Sequence, residues 1–358
     1  MRVALLTSGG DAPGMNAALR GAARVGAELG LDVVGIEDGY VGLMERRMVP
    51  LDLYALDEAA RRGGTVLGTA RSKVFPTPEG QARARDAIVA LRLDALLVIG
   101  GNGSLAGART LMGAPTASGG VLRVGGLPAS IDNDLACTTM AIGVDTAMNT
   151  IVEACDRILD TATAHKRTFL VEVMGRDMGY LAMTAGIAAG ADTVLVREVG
   201  LDEDHIVDQV VRTMEHAYAK GTGKRRVLVL KAEGVKLDMA RLKARIDERI
   251  GPTHPEVDTR VTVLGHVVRG GTPSAFDRLL GARLANVAIR ELAAEKTDFM
   301  VGWIGPGAAG EPSAYDPFVV TVDLETVLRE TEIMHRGDSP IARWRRKVYA
   351  EVQTILSR

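Results

Sequence analysis

The chain has 358 residues, 47% of them hydrophobic, enough for two domains that each bury a core. A formal net charge of -2 with 25% charged residues argues against a nucleic-acid binder or a membrane-surface protein, while small anions need only local positive charge. Cys137 and Cys155 form neither a disulfide framework nor a metal pair and read as small buried hydrophobes. The apolar run before Ser8 is too short for a signal segment or a membrane span, so the expectation is a soluble cytoplasmic protein.

The first predicted strand, Val3 to Leu6, runs into SGGDAPGMN and a helix start, where backbone N–H groups and the positive end of the helix dipole face outward. Gly9 to Gly14 has the GxxxxG spacing of a Walker loop, but Met15 and Asn16 stand where Lys and Ser/Thr belong, so it is not a Walker A site. A turn capped by Asp11, with Pro13 near the helix start, serves the fold equally well, and phosphate binding and a plain turn both stand. The next strand, Asp94 to Ile99, feeds GGNGS (Gly100 to Ser104), with Gly107 one helical turn on. Two glycine loops at one sheet edge favour a polyphosphate site, tight turns being the alternative.

The strand from Val121 to Leu127 leads into PASIDND, which crowds Ser130, Asp132, Asn133 and Asp134 into one loop. Acids at 132 and 134 suit a general base and a hydrated Mg2+. Asx turns explain single Asp and Asn residues, but this loop holds more of them than one cap requires. His165, Lys166 and Arg167 precede a strand from Thr168 to Val173 that ends in MGRDMGY, with Arg176, and Val227 to Leu230 ends in KAEG. RVTVLGHVVRGG then carries Arg260, His266 and Arg269. Arginine suits bidentate phosphate recognition, although singly each is more often a surface residue. A lone histidine between apolar neighbours, as His266 is, is ordinarily a hydrogen-bonded core residue. Gly305 to Pro317 reads as a loop or boundary, and Ala342 to Arg358 as an amphipathic helix whose cluster Arg343, Arg345, Arg346 and Lys347 faces solvent. Strands alternating with helices predict an α/β doubly wound fold of parallel sheets, with ligands beyond the carboxyl ends of the strands.

In this order, SGGDAPGMN, DGYVGL, RGGTVLGTAR, VIGGNGS, SIDND, HKRTFLVEVMGR and TVLGHVVRGG resemble the 6-phosphofructokinase family, nearly collinearly from Val3 to about Ala293. The resemblance implies two Rossmann-like domains with the active site in the cleft between them. The larger, nucleotide-binding domain would take about 1–143 and 268–318, and the smaller, sugar-phosphate-binding domain about 144–267 and 319–358. It also implies transfer of the ATP γ-phosphate to the 1-hydroxyl of fructose 6-phosphate with Mg2+, by a homotetramer whose sites are completed across subunits. Asp132 would be the base, with Ser130 and Asp134 placing the sugar hydroxyl, and Arg176 with the Gly10 N–H would stabilise the transferring group. ATP would lie on Gly10, Tyr40, Arg71, Asn102, Gly103, Ser104 and Gly107. The sugar would be held by Met174, Gly175 and Glu233, and its phosphate by His266 and Arg269, with Arg167 and Arg260 from the adjacent subunit.

Departures from the family pattern mark where this chain differs. Pyrophosphate-using relatives typically carry Asp where Gly103 stands and Lys where Ala129 stands, so ATP is the expected donor and pyrophosphate the lesser alternative. Asn102 replaces the usual Asp of GGDGS, keeping an oxygen ligand for Mg2+ but removing a full negative charge. That substitution keeps open a weakly active or regulatory subunit that assembles with a paralogue. Of the effector pocket of bacterial relatives, Arg20, Arg24 and Lys224 fit, whereas Leu159 and Asp192 stand where Arg and Glu are usual.

Overall fold

The computed structural model describes residues 1–219, 226–304 and 312–356. Strands and helices alternate along the chain as the glycine-punctuated pattern requires. The first segment runs β1 (Arg2–Ser8), α1 (Met15–Glu28), β2 (Asp32–Ile36), α2 (Gly39–Met44), β3 (Met48–Pro50), α3 (Leu53–Ala59), α4 (Pro78–Ala90), β4 (Ala95–Gly100), α5 (Asn102–Arg109) and β5 (Arg123–Pro128). The middle runs α6 (Val144–His165), β6 (Arg167–Val173), α7 (Tyr180–Ala188), β7 (Thr193–Leu195), α8 (Glu203–Tyr218), β8 (Val227–Ala232), α9 (Met239–Ile250) and β9 (Asp258–Val263). The last part adds α10 (Ala275–Ala293), β10 (Phe299–Trp303), β11 (Pro312–Ser313), β12 (Asp316–Asp323), α11 (Leu324–His335) and α12 (Pro340–Leu356). Two compact units result: Met1–Thr146 with Arg269–Ile333, and Ala147–Val268 with Met334–Arg358.

The first unit is built on an eight-stranded sheet in the order β11-β12-β10-β5-β4-β1-β2-β3. Its centre is parallel, and β4, a continuous apolar run, is buried along its whole length as a strand covered on both faces must be. The sheet is not parallel throughout, because β3, β12 and β11 pair antiparallel at the edges. Part of the expected loop at 305–317 is in fact the β11–β12 hairpin, whose two-residue connection leaves no room for the crossover that parallel pairing needs; residues 305–311 lie outside the described residues. Chain order reverses between β1 and β4, so the loops after these two strands flank a topological switch point.

The second unit has a four-stranded, wholly parallel sheet in the order β7-β8-β6-β9. One face is covered by α8 and α9, where Ile206, Val210, Met214, Leu242 and Ile246 meet Leu170, Val227 and Val229 of the strands. The expected C-terminal helix is α12, and the buried Tyr349 hydroxyl donates to the Val194 carbonyl at 2.6 Å, satisfying a backbone acceptor on the edge strand β7. Arg345 is not part of a solvent-facing cluster as the sequence suggested: it is buried with its guanidinium over the Tyr180 ring, 4.6 Å from the centroid. No helix among the described residues is long and apolar enough to cross a membrane.

Candidate active site

Pairing of Ser8 with Gly100 across β1 and β4, and of Gly100 with Pro128 across β4 and β5, brings three loops to one sheet edge of the first unit: SGGDAPG, GGNGS and SIDND. Gly14, at φ 111°, turns the first loop into α1 in a conformation that a residue with a Cβ rarely adopts. A side chain at Gly10 would collide with the guanidinium of Arg269, whose Nη1 donates to the Asp11 carbonyl at 3.1 Å. The structure therefore sets Arg269, expected on the sugar phosphate, against the first glycine turn. Met15 and Asn16, at the Walker Lys and Ser positions, are both buried. Asn16 is an organiser that the sequence reading missed: its amide donates to Arg62 and Gly63 carbonyls at 3.1 and 3.4 Å and accepts from Val66 N–H at 2.8 Å. It thereby braces the segment that carries Thr69, which donates to the Gly9 carbonyl at 2.5 Å, and the exposed Arg71.

The second loop opens α5 with Asn102 half-buried and Gly103 exposed. A Cβ at Gly103 would meet nothing within 4 Å, so no packing demands glycine there. Gly107 is the opposite case, since a Cβ would lie 2.8 Å from the Tyr40 ring. Tyr40 is buried, stacks on Phe75 with centroids 4.0 Å apart, and donates its hydroxyl to the Ser104 carbonyl at 2.6 Å; burial raises its pKa well above the ordinary phenol range.

The third loop is locked from several sides. Ser130 N–H donates to Ile142 at 3.2 Å, Ser130 Oγ to Asp134 at 2.8 Å, and Asn133, at φ 48°, exchanges bonds with Thr139 and Ala141 at 3.0 and 3.1 Å. Asp132 sits inside this frame with 3% of its surface exposed. A second residue that the sequence reading missed is Asp277 of α10, fully buried and accepting from Gly143 N–H, Thr146 N–H and Thr146 Oγ1 at 2.8, 2.7 and 2.6 Å. Burial raises its pKa, with these donors opposing the rise. The spacing of Ser274 and Asp277 is a capping-box signal, and Ser274 does accept from Asp277 N–H at 3.1 Å, so the sequence offered only the helix-cap half of its role.

In the second unit, adjacency of β6 and β8 places Met174, Gly175 and Arg176 beside Glu233. Glu233 Oε1 accepts from Gly175 and Arg176 N–H at 3.1 and 2.6 Å, and Arg176 is held at φ 50° with its side chain exposed. Arg167 and Arg260 both pair with Asp258. His266, in a short turn at 265–269, is exposed rather than a core histidine, because its neighbours Val263 and Val267 face solvent too. Of the effector candidates, Lys224 lies outside the described residues. Arg20 and Arg24 in the first unit both bind Asp57 of α3, and these two guanidinium groups, Arg24 first, lower its pKa to about 2. In the second unit Asp192 is buried and accepts from Leu228 N–H at 2.8 Å.

Three comparisons bear on these loops. The phosphofructokinase family pattern matches residues 2–292. Among curated proteins, the ATP-dependent 6-phosphofructokinases of Natranaerobius thermophilus and Halothermothrix orenii are 45% and 41% identical over 303 and 312 residues. These alignments cover 84% and 85% of this chain and 89% and 90% of those proteins. Among solved structures, phosphofructokinase from Saccharomyces cerevisiae superposes with TM-score 0.82 at 31% identity, covering 94% of this chain; the chain spans 46% of that protein's length. A pyrophosphate-dependent phosphofructokinase from Marinobacter aquaeolei, 18% identical with TM-score 0.76, shares the fold. The loops that meet at the β1, β4 and β5 edge are thus those of a known lineage, and the chain belongs to the phosphofructokinase family.

Proposed function

We propose that this chain is an ATP-dependent 6-phosphofructokinase that moves the γ-phosphate of ATP to the 1-hydroxyl of fructose 6-phosphate. The observation that carries the reading is the buried Asp132, held in a rigid loop that adjoins the two glycine loops on one sheet edge. Glycine loops and the α5 N-terminus supply N–H donors for a polyphosphate, and Gly103, with open space where a side chain would stand, leaves room for one to approach. Asp132 takes the proton of the sugar hydroxyl as it attacks phosphorus, with the Ser130–Asp134 pair fixing the loop. The second unit supplies the sugar half: Met174, Gly175, Glu233 and His266 hold fructose 6-phosphate, and Arg176 stabilises charge on the moving group. Arg167 and Arg260 serve a neighbouring subunit's sugar phosphate in a homotetramer.

Among the described residues, no three His, Cys, Asp or Glu side chains gather to hold a metal ion. Asp132, Asp134 and the Asn102 amide suit a Mg2+ that arrives on the ATP phosphates and keeps several waters, rather than a resident ion in a protein cage. Such an ion supplies charge neutralisation at the phosphates. The decisive variant is Asp132→Asn, which keeps size and removes the base. A fall in kcat of about 10²- to 10⁴-fold with both KM values little changed is expected in steady-state assays, and preserved turnover would remove Asp132 from the mechanism.

A further inference from the structure

On the reading that Arg167 and Arg260 bind a sugar phosphate, we infer that Asp258 is the positioning residue that holds their two guanidinium groups as a single phosphate-binding fork. The parallel register of β6 and β9 sets Arg167 directly opposite Asp258. Arg260 lies two residues along β9, and the period of two puts it on the same face as Asp258. One carboxylate oxygen then serves both cations: Asp258 Oδ2 lies 2.9 Å from Arg167 Nε, 2.9 Å from Arg260 Nε and 2.7 Å from Arg260 Nη2. Among the described residues, the Nη groups of Arg167 and Nη1 of Arg260 donate to no other group.

Two guanidinium groups this close repel each other, and each loses rotamer freedom when a ligand fixes it. The carboxylate between them removes both obstacles before a ligand arrives, because it lowers the local charge from two to one and orients both planar groups while their remaining N–H donors stay available. Burial works against its charge, but Arg260 and Arg167 outweigh burial and hold its pKa below the ordinary range, so the clamp persists through neutral pH. A purely structural ion pair is the competing view. These groups are partly exposed, with 27%, 41% and 53% of the Arg167, Asp258 and Arg260 side chains accessible, and ion pairs so exposed add little to stability. Stability and ligand affinity should therefore respond differently to removal of Asp258.

The test uses the full chain with Asp258→Asn, Asp258→Glu and the double variant Arg167→Ala with Arg260→Ala. It reads KM for fructose 6-phosphate, the affinity for inorganic phosphate by titration calorimetry, and Tm. We expect Asp258→Asn to raise KM and weaken phosphate binding by roughly fivefold to tenfold, to leave Tm within about 2 °C, and to steepen the loss of phosphate binding with added salt. Asp258→Glu should recover most of the affinity. Equal phosphate affinity in wild type, Asp258→Asn and the double variant overturns the inference, as does a loss that tracks Tm and that glutamate does not repair. If wild type forms no bisphosphate yet its phosphate binding depends on Asp258, the proposed reaction fails and the positioning role stands.

Discussion

On the proposed reading, Asn102 is a single side chain that tunes the metal requirement of the reaction. It stands at the first turn of α5, half-buried, where an aspartate would add a full negative charge beside the proposed nucleotide site. An amide oxygen is a poorer ligand for hard Mg2+ than a carboxylate, so Asn102→Asp should lower the Mg2+ concentration needed for half-maximal turnover severalfold. A Mg2+ titration of initial rates that is the same for both proteins would show that position 102 does not face the metal. Asp277 carries a structural consequence instead. Its two oxygens meet three donors, and an amide nitrogen in place of one oxygen would face a donor, so Asp277→Asn should cost about 2 kcal/mol of stability by denaturant titration. Because burial raises the folded pKa of Asp277, its protonated form is favoured by folding, and wild-type stability from this group falls as pH rises through that value. The deficit of the variant should therefore be larger near about pH 4 than near about pH 8.

Helix α5 separates the two reasons for which a chain keeps glycine. Gly107 is needed for packing against Tyr40, whereas Gly103 faces open space at the helix start. Gly107→Ala should lose about 1–3 kcal/mol, while Gly103→Ala should hold or slightly raise Tm and weaken ATP binding; thermal melts with ATP titrations distinguish them, and similar behaviour of the two would show that Gly103 is not at the nucleotide. The α1–α3 contact makes a second prediction at this scale. Asp57, with its pKa near 2, neutralises Arg20 and Arg24 at neutral pH, the pairing being lost only as pH falls from about 4 through that value. Because these pairs are largely exposed, Asp57→Ala should leave Tm within about 2 °C of wild type in thermal melts, and a larger drop would show that the pairing anchors α3 on α1.

These elements also show what could be read in advance. The glycine loops and the SIDND turn were legible because each packs its chemistry into one short segment after an apolar strand. The roles of Asn16 and Asp277 were not, since their partners lie 46 to 50 and 131 to 134 residues away and only the folded chain brings them together. Val121 was read into the strand before PASIDND, but β5 begins at Arg123 and Val121 is 60% exposed, because tertiary pairing sets where a strand starts. The antiparallel edges escaped notice for the same reason, because a hairpin closed by two residues looks like loop in composition.

At the scale of the whole molecule, the proposed reading gives each unit half of a reaction: the first would offer N–H donors to a polyphosphate near the buried Asp132, and the second has Glu233 and Arg176 just beyond the adjacent strands β8 and β6. The proposal is that one kind of chain does both jobs with ATP. The direct measurement is the rate of fructose 1,6-bisphosphate formation by the purified chain alone, at saturating fructose 6-phosphate and Mg2+, with ATP and then with pyrophosphate as donor. Sustained product formation with ATP and at least about 100-fold less with pyrophosphate is the predicted result. No product with ATP, or a faster rate with pyrophosphate, would contradict it.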